Sequence, residues 1–174
     1  MKNFLIVVDM QKDFVDGALG TPEAVAIVPA VCEKIRTFEG DIFVTYDTHT
    51  TDYLSTAEGK KLPVTHCVKD TPGWQLDSAV AAALAEKPYS TVEKPTFGST
   101  ALPSFVAAAA GDEDFSITLI GLCTDICVVS NALLLKAHFP ERSISVVAAC
   151  CAGVTPESHA AALQTMRMCQ IDVV

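Results

Sequence analysis

The feature that most constrains the fold is the unbroken apolar run Phe4-Leu5-Ile6-Val7-Val8, which ends abruptly on Asp9. A short, largely β-branched run without polar alternation is the pattern of a strand covered on both faces. Similar runs recur at Asp41–Tyr46, Ser90–Glu93, Ser116–Ile120, Ser143–Ala148 and Ile171–Val174. Helix-period segments lie between them: Ala24–Phe38 behind a Thr21-Pro22-Glu23 start signal, Leu76–Ala85, Leu102–Ala110, Thr124–His138 and Pro156–Met168. A polar stretch, Asp47–Pro72, separates the second strand from the helix that follows.

Strands alternating with helices predict βαβ units. The expected fold is therefore a three-layer α/β/α sandwich with a mostly parallel sheet of about six strands. The 174 residues suit a single domain spanning 1–174, with no repeat or low-complexity linker to divide it. In such sheets ligands bind beyond the carboxyl ends of the strands, so residues just after each apolar run are the ones to inspect.

Three reactive residues satisfy that filter. Asp9 follows the first strand, where partial burial would raise its pKa toward the range of a general base; equally, it could cap a loop. Lys94 follows Ser90–Glu93 and can stabilise an anion, or can be a solvated cation beside Glu93. Cys127 lies in LIGLCTDICVV, where the strand is expected to break at Gly121 and a helix to begin near Thr124-Asp125. That puts Cys127 in a first helical turn, whose dipole and free N–H groups lower a thiol pKa and bind an oxyanion. The alternative is a buried helical cysteine, with Cys123 in a backbone or packing role. Together, a thiol, a carboxylate and a lysine at three strand ends make a nucleophile, a base and an anion stabiliser.

The polar stretch adds Asp47, His49, Glu58 and His66. An Asp-x-His after a strand with a later His is workable divalent-metal spacing, and also the spacing of ordinary loop residues; mixed N/O donors do not select one metal.

Other functions are disfavoured by charge. With 21 acidic and 12 basic residues the chain carries a formal charge of -9, and no Lys/Arg run offers a local attraction for nucleic acid or anionic membrane. The apolar start is too short for a secretion signal, and no stretch is long enough to span a bilayer, so a cytoplasmic location is expected. The seven cysteines are then read as mostly buried thiols rather than disulfides.

The segments VVDMQKDF, EKPTFGS and GLCTDICV resemble the three signatures of the isochorismatase-like cysteine hydrolases, the superfamily that includes nicotinamidases. The similarity runs through essentially the whole chain in the same order. It implies that Asp9, Lys94 and Cys127 form the catalytic triad. It also implies a cis peptide at Leu122–Cys123, with the backbone N–H groups of Cys123 and Cys127 forming an oxyanion hole. Asp47, His49 and the His66-Cys67 pair match the metal positions of metal-dependent nicotinamidases. Where many members place a middle histidine this chain reads Asp52-Tyr53, and Glu58 stands where some members have a glutamate ligand.

The metal implied is zinc, manganese or iron, with no organic cofactor. Phe14 and Leu19 stand where nicotinamidases pack the substrate ring, and Phe97 and Leu122 are further candidates for the pocket wall. Leu62-Pro63-Val64 replaces a frequent aromatic clamp, and Trp74 is either a replacement wall or a loop anchor. The activity implied is hydrolysis of a small-molecule amide through a thioester, with nicotinamide as the best single substrate. Another amide, a ureide or a carbamoyl compound is the alternative; a non-catalytic binding protein on the same fold is the rival of another class. A homo-oligomer is implied by the resemblance alone.

Overall fold

The computed structural model describes all 174 residues. Six strands form one parallel sheet: β1 (Lys2–Val8), β2 (Asp41–Asp47), β3 (Tyr89–Lys94), β4 (Phe115–Leu122), β5 (Ser143–Ala152) and β6 (Asp172–Val173), in spatial order β3-β2-β1-β4-β5-β6. The helices are α1 (Lys12–Val15), α2 (Pro22–Thr37), α3 (Ala57–Lys61), α4 (Ser78–Leu84), α5 (Leu102–Ala110), α6 (Val129–His138) and α7 (Pro156–Met168). None of them is long and apolar enough to cross a membrane.

The strand β1 is buried on both faces and divides the core in two. Phe4, Ile6 and Val8 join apolar side chains of α5, α6 and α7 on one side. Leu5 and Val7 join those of α2 and α4 on the other. This period-2 division between two helical layers is why the strand reads as a continuous apolar run.

Helix starts follow local chemistry. The Thr21 hydroxyl accepts from the Ala24 N–H at 3.0 Å ahead of Pro22, and Thr155 and Ser158 cap α7 reciprocally. The segment Asp47–Pro72 is not merely loop: it holds a short 3-10 turn at Tyr53–Ser55 and the helix α3, capped by Thr56.

Several boundaries differ from those expected, and two of them affect the site. Lys94 is the last residue of β3 rather than the first beyond it. The strand β4 does not stop at Gly121 but runs to Leu122. Gly121 has φ +117°, and a Cβ there would lie 2.1 Å from the Val8 carbonyl, so glycine lets β4 continue while pressed against β1. The strand β5 also runs past Ala148 to Ala152, and only Asp172–Val173 of the last run pairs.

The chain winds outward from β1 to β3, then returns to lay β4 against the other edge of β1. The crevice between the carboxyl ends of β1 and β4 is the switch point where open α/β sheets bind ligands.

Candidate active site

Asp9 leaves β1 with φ +46°, a left-handed conformation that aspartate tolerates better than most residues. Its N–H lies 3.2 Å from the Thr45 hydroxyl, and that hydroxyl donates back to Asp9 Oδ1 at 2.6 Å. The other carboxylate oxygen, Oδ2, lies 2.6 Å from the Lys94 ammonium.

Lys94, at the end of β3, also lies 3.4 Å from Asp47 Oδ1, 3.1 Å from the Thr96 carbonyl and 3.6 Å from Cys127 Sγ. The Asp9 and Lys94 side chains are both wholly buried. The structure thus brings Asp9, Lys94 and Cys127 together from the ends of three different strands.

Cys127 does not sit in the first turn of a regular helix. A wider π-type turn over Thr124–Val128 precedes α6, with the Cys123 carbonyl accepting from both Ile126 and Val128 N–H groups. Cys123, not Thr124 or Asp125, is the residue at its start, and the Leu122–Cys123 peptide is cis.

Three contacts brace this turn from elsewhere. Thr124 hydrogen-bonds His159 Nδ1 at 2.8 Å, and the Asp125 carboxylate accepts from the Val154 N–H at 3.1 Å. Asn131 donates to the Cys127 carbonyl at 2.8 Å and to the Phe97 carbonyl at 3.2 Å.

The electrostatics depart from one expectation. The Cys127 thiol is not lowered. Burial and the Asp9 carboxylate push it well above its ordinary value, and Lys94 offsets this only in part. Asp9 is raised as expected, by burial first, against the pull of Lys94 and with the push of Asp47. Burial lowers the Lys94 pKa, but Asp9, Cys127 and Asp47 outweigh it and hold the ammonium protonated. Burial thus favours the neutral thiol on Cys127 and raises the carboxylate of Asp9 beside it.

Asp47, His49, Glu58 and His66 converge beside the triad, their donor atoms all within 4.8 Å of one another. His49 Nε2 lies 3.0 Å from Asp47 Oδ2 and 3.6 Å from Glu58 Oε1; His66 Nε2 lies 3.5 Å and 3.8 Å from the same two oxygens. Zinc bonds of about 2.1 Å would set tetrahedral donors about 3.4 Å apart, so this two-histidine, two-carboxylate set fits a divalent ion. The Val64 carbonyl lies 2.8 Å from His66 Nδ1, leaving Nε2 directed at the cluster. Hydrogen bonds from the two histidines and the charge of Lys94 overcome the effect of burial and hold Asp47 well below the usual carboxylate range.

Gln11 has a positioning role that sequence reasoning missed. It is fully buried; its amide donates to the Asp47 and Trp74 carbonyls at 2.8 and 2.9 Å and accepts from the Asp47 N–H at 2.8 Å. Thr45, Asn131 and Tyr53 were likewise missed; the Tyr53 ring packs on both His49 and His66. A polar residue inside an apolar run, as Asn131 is within VVSNALLL, was the available signal for one of them.

A small, partly open pocket of about 40 Å³ is lined by Phe14, Leu19, Phe97, Cys123 and Cys127, with Asp47, Glu58, Leu62, His66 and Ile126 completing it. Leu122 is not part of this wall. Its side chain points into the core beside Ile120 and Ala152, because period-2 alternation in the extended β4 turns it away from the cleft. Trp74 is a loop anchor, its indole donating to Thr48 at 2.9 Å and its ring beside Tyr46.

All seven cysteines are free thiols, and only Cys169 is exposed.

A family model described as an isochorismatase domain matches residues 3–174. No curated protein matches the sequence. Among solved structures, the pyrazinamidase of Pyrococcus horikoshii in complex with zinc is 28% identical with a TM-score of 0.81, over 100% of this chain and 99% of that one. The pyrazinamidase/nicotinamidase of Streptococcus mutans is 26% identical with a TM-score of 0.84, over 99% of this chain and 100% of that one. The nicotinamidase/pyrazinamidase PncA of Bacillus subtilis, 24% identical over 100% of both chains with a TM-score of 0.85, shares the fold.

Proposed function

Because the chain belongs to the isochorismatase family, we propose that residues 1–174 act as one hydrolase domain cleaving the amide bond of a small molecule through a thioester on Cys127. The observation that carries this reading is the buried contact of Lys94 with both Asp9, at 2.6 Å, and Cys127, at 3.6 Å, at the sheet's switch point. The likeness to pyrazinamidases and nicotinamidases that are 26% and 28% identical supports an amide as the bond attacked.

The steps follow from the environment of each group. Asp9, with Oδ1 held by Thr45 and its pKa raised by burial, takes the thiol proton. The sulfur attacks the carbonyl carbon, while Lys94 stabilises the negative charge shared between thiolate and carboxylate. Backbone N–H groups of Cys123 and Cys127 hold the oxyanion of the tetrahedral intermediate. Asp9 returns the proton to the nitrogen, the C–N bond breaks, and ammonia leaves. Water, giving a proton to Asp9, then attacks the thioester; the acid is released and the proton returns to the thiol.

Phe14, Leu19 and Phe97 exclude bulk water from these steps and pack the substrate. Asp47, His49, Glu58 and His66 would hold a divalent ion, which when bound supplies a Lewis acid to orient a substrate nitrogen or neighbouring waters. Zinc in the Pyrococcus horikoshii structure supports that choice of metal.

The test is ammonia release from nicotinamide by the purified protein, before and after chelation, with Cys127→Ala alongside. Release that is lost in the variant and reduced by chelation is expected. Turnover retained by Cys127→Ala refutes the thioester.

A further inference from the structure

The pocket at Cys127 is by itself too small for the body of most amides. Its volume is about 40 Å³, whereas a cavity of about 150 Å³ is what an apolar interior offers to hold a benzene ring. There is room beside the sulfur for a carboxamide and little else. The body of a substrate must therefore lie elsewhere.

A much larger hollow of about 500 Å³ adjoins it. The two share Glu58, Leu62, Phe97 and Ile126 as a common wall, so a molecule anchored at Cys127 reaches the hollow by passing between those side chains. Beyond the wall the hollow adds only Ala57, Lys61 and Thr96. Leu62 is 38% exposed and Phe97 43% exposed. Two large apolar side chains standing open at the mouth of a reactive pocket mark a surface built to be covered by a ligand.

We propose, on the amidase reading above, that this hollow is the site for the acyl body of the substrate, and that the preferred substrates are primary amides of apolar acids longer than the pocket at Cys127 admits. The carboxamide enters between Cys123 and Cys127, and the carbon skeleton lies along Leu62, Phe97 and Ile126. The acyl part rather than the leaving nitrogen belongs there, because it alone stays bound to the sulfur through both halves of the reaction. Contacts to it can therefore assist acylation and deacylation alike.

The balance of the reaction is unchanged: R–CO–NH2 and water give R–COOH and ammonia.

The test is ammonia release from straight-chain primary amides, acetamide through hexanamide, by the metal-replete protein, with nicotinamide alongside. Each methylene that enters an apolar hollow should raise kcat/KM about fourfold. Ala57→Trp, at a residue that lines the outer hollow and not the pocket at Cys127, should flatten this dependence. The ratio of hexanamide to acetamide is internal to each preparation, so it is unaffected by any loss of correctly folded variant. A series flat in the native protein, with nicotinamide still hydrolysed, overturns the inference and leaves the amidase reading standing. A slope unchanged in Ala57→Trp overturns the placement in this hollow. No ammonia from any amide defeats the amidase reading itself.

Discussion

The Asp9–Lys94 pair should show an energetic coupling far larger than ordinary ion pairs, with an asymmetry that the structure dictates. Both side chains are wholly buried and their charged atoms lie 2.6 Å apart. At the effective dielectric of about 20 that suits protein sites, two unit charges at that distance attract by about 6 kcal/mol. Removing one partner of a buried pair typically costs about 3–5 kcal/mol, because the survivor stays desolvated.

The two single variants should not cost the same. In Asp9→Asn, Lys94 keeps Asp47 at 3.4 Å and the Thr96 carbonyl at 3.1 Å, so the loss should fall near 3 kcal/mol. In Lys94→Met, the carboxylates of Asp9 and Asp47 face one another without the cation that separated them, and the loss should approach 5 kcal/mol. Asp9→Asn/Lys94→Met leaves no stranded charge at the triad and should cost less than the sum of the singles by about 3 kcal/mol or more. Urea unfolding of the four proteins at pH 8, without added metal, gives the cycle directly. A coupling below about 1 kcal/mol, the range of exposed pairs, would falsify the desolvated pair; equal losses in the singles would remove the role given to Asp47.

Three further outcomes follow from individual contacts. The proposed mechanism needs Asp9 ionised, so kcat/KM should climb as pH rises through its pKa, and burial places that limb above the ordinary aspartate value of about 3.9. Thr45→Val removes a hydrogen bond that favours the carboxylate, so a pH–rate profile should show the limb moved to higher pH; a downward move contradicts the assignment of Asp9 as base. Iodoacetamide near neutral pH should label the exposed Cys169 before Cys127, whose thiol burial keeps protonated; mass spectrometry showing Cys127 labelled first would mean a standing thiolate. Gln11→Leu frees the Asp47 backbone and should weaken metal binding about 10–100-fold in titrations with zinc; unchanged affinity would show that Asp47 is held without it.

The parts of this molecule legible in its sequence are those in which one residue's surroundings are set by its immediate neighbours. Phe4–Val8 had to be a doubly covered strand because no face of it is polar, and Asp9 had to stand at its end. Once the helices alternated with such strands, a parallel sheet and a site at its carboxyl edge followed from chain geometry. Three-residue chemistry at three strand ends was then accessible before any contact was known.

What escaped notice depends on distant pairings. Gln11 reads as a loop glutamine until β2 lies beside it, and Thr45 reads as a strand residue until its hydroxyl meets Asp9 across the sheet. The direction of the Cys127 shift could not be foreseen either. A helix start favours a thiolate, but the same turn carries the sulfur into an apolar pocket beside a carboxylate, and burial outweighs the turn. Leu122 fails for a related reason. The strand β4 runs two residues past Ile120, with Gly121 allowing the close approach to Val8, and period-2 alternation then carries Leu122 into the same core as Ile120. The same cause links these cases: burial and pairing set the chemistry of this site, and both are properties of the whole sheet rather than of any segment within it.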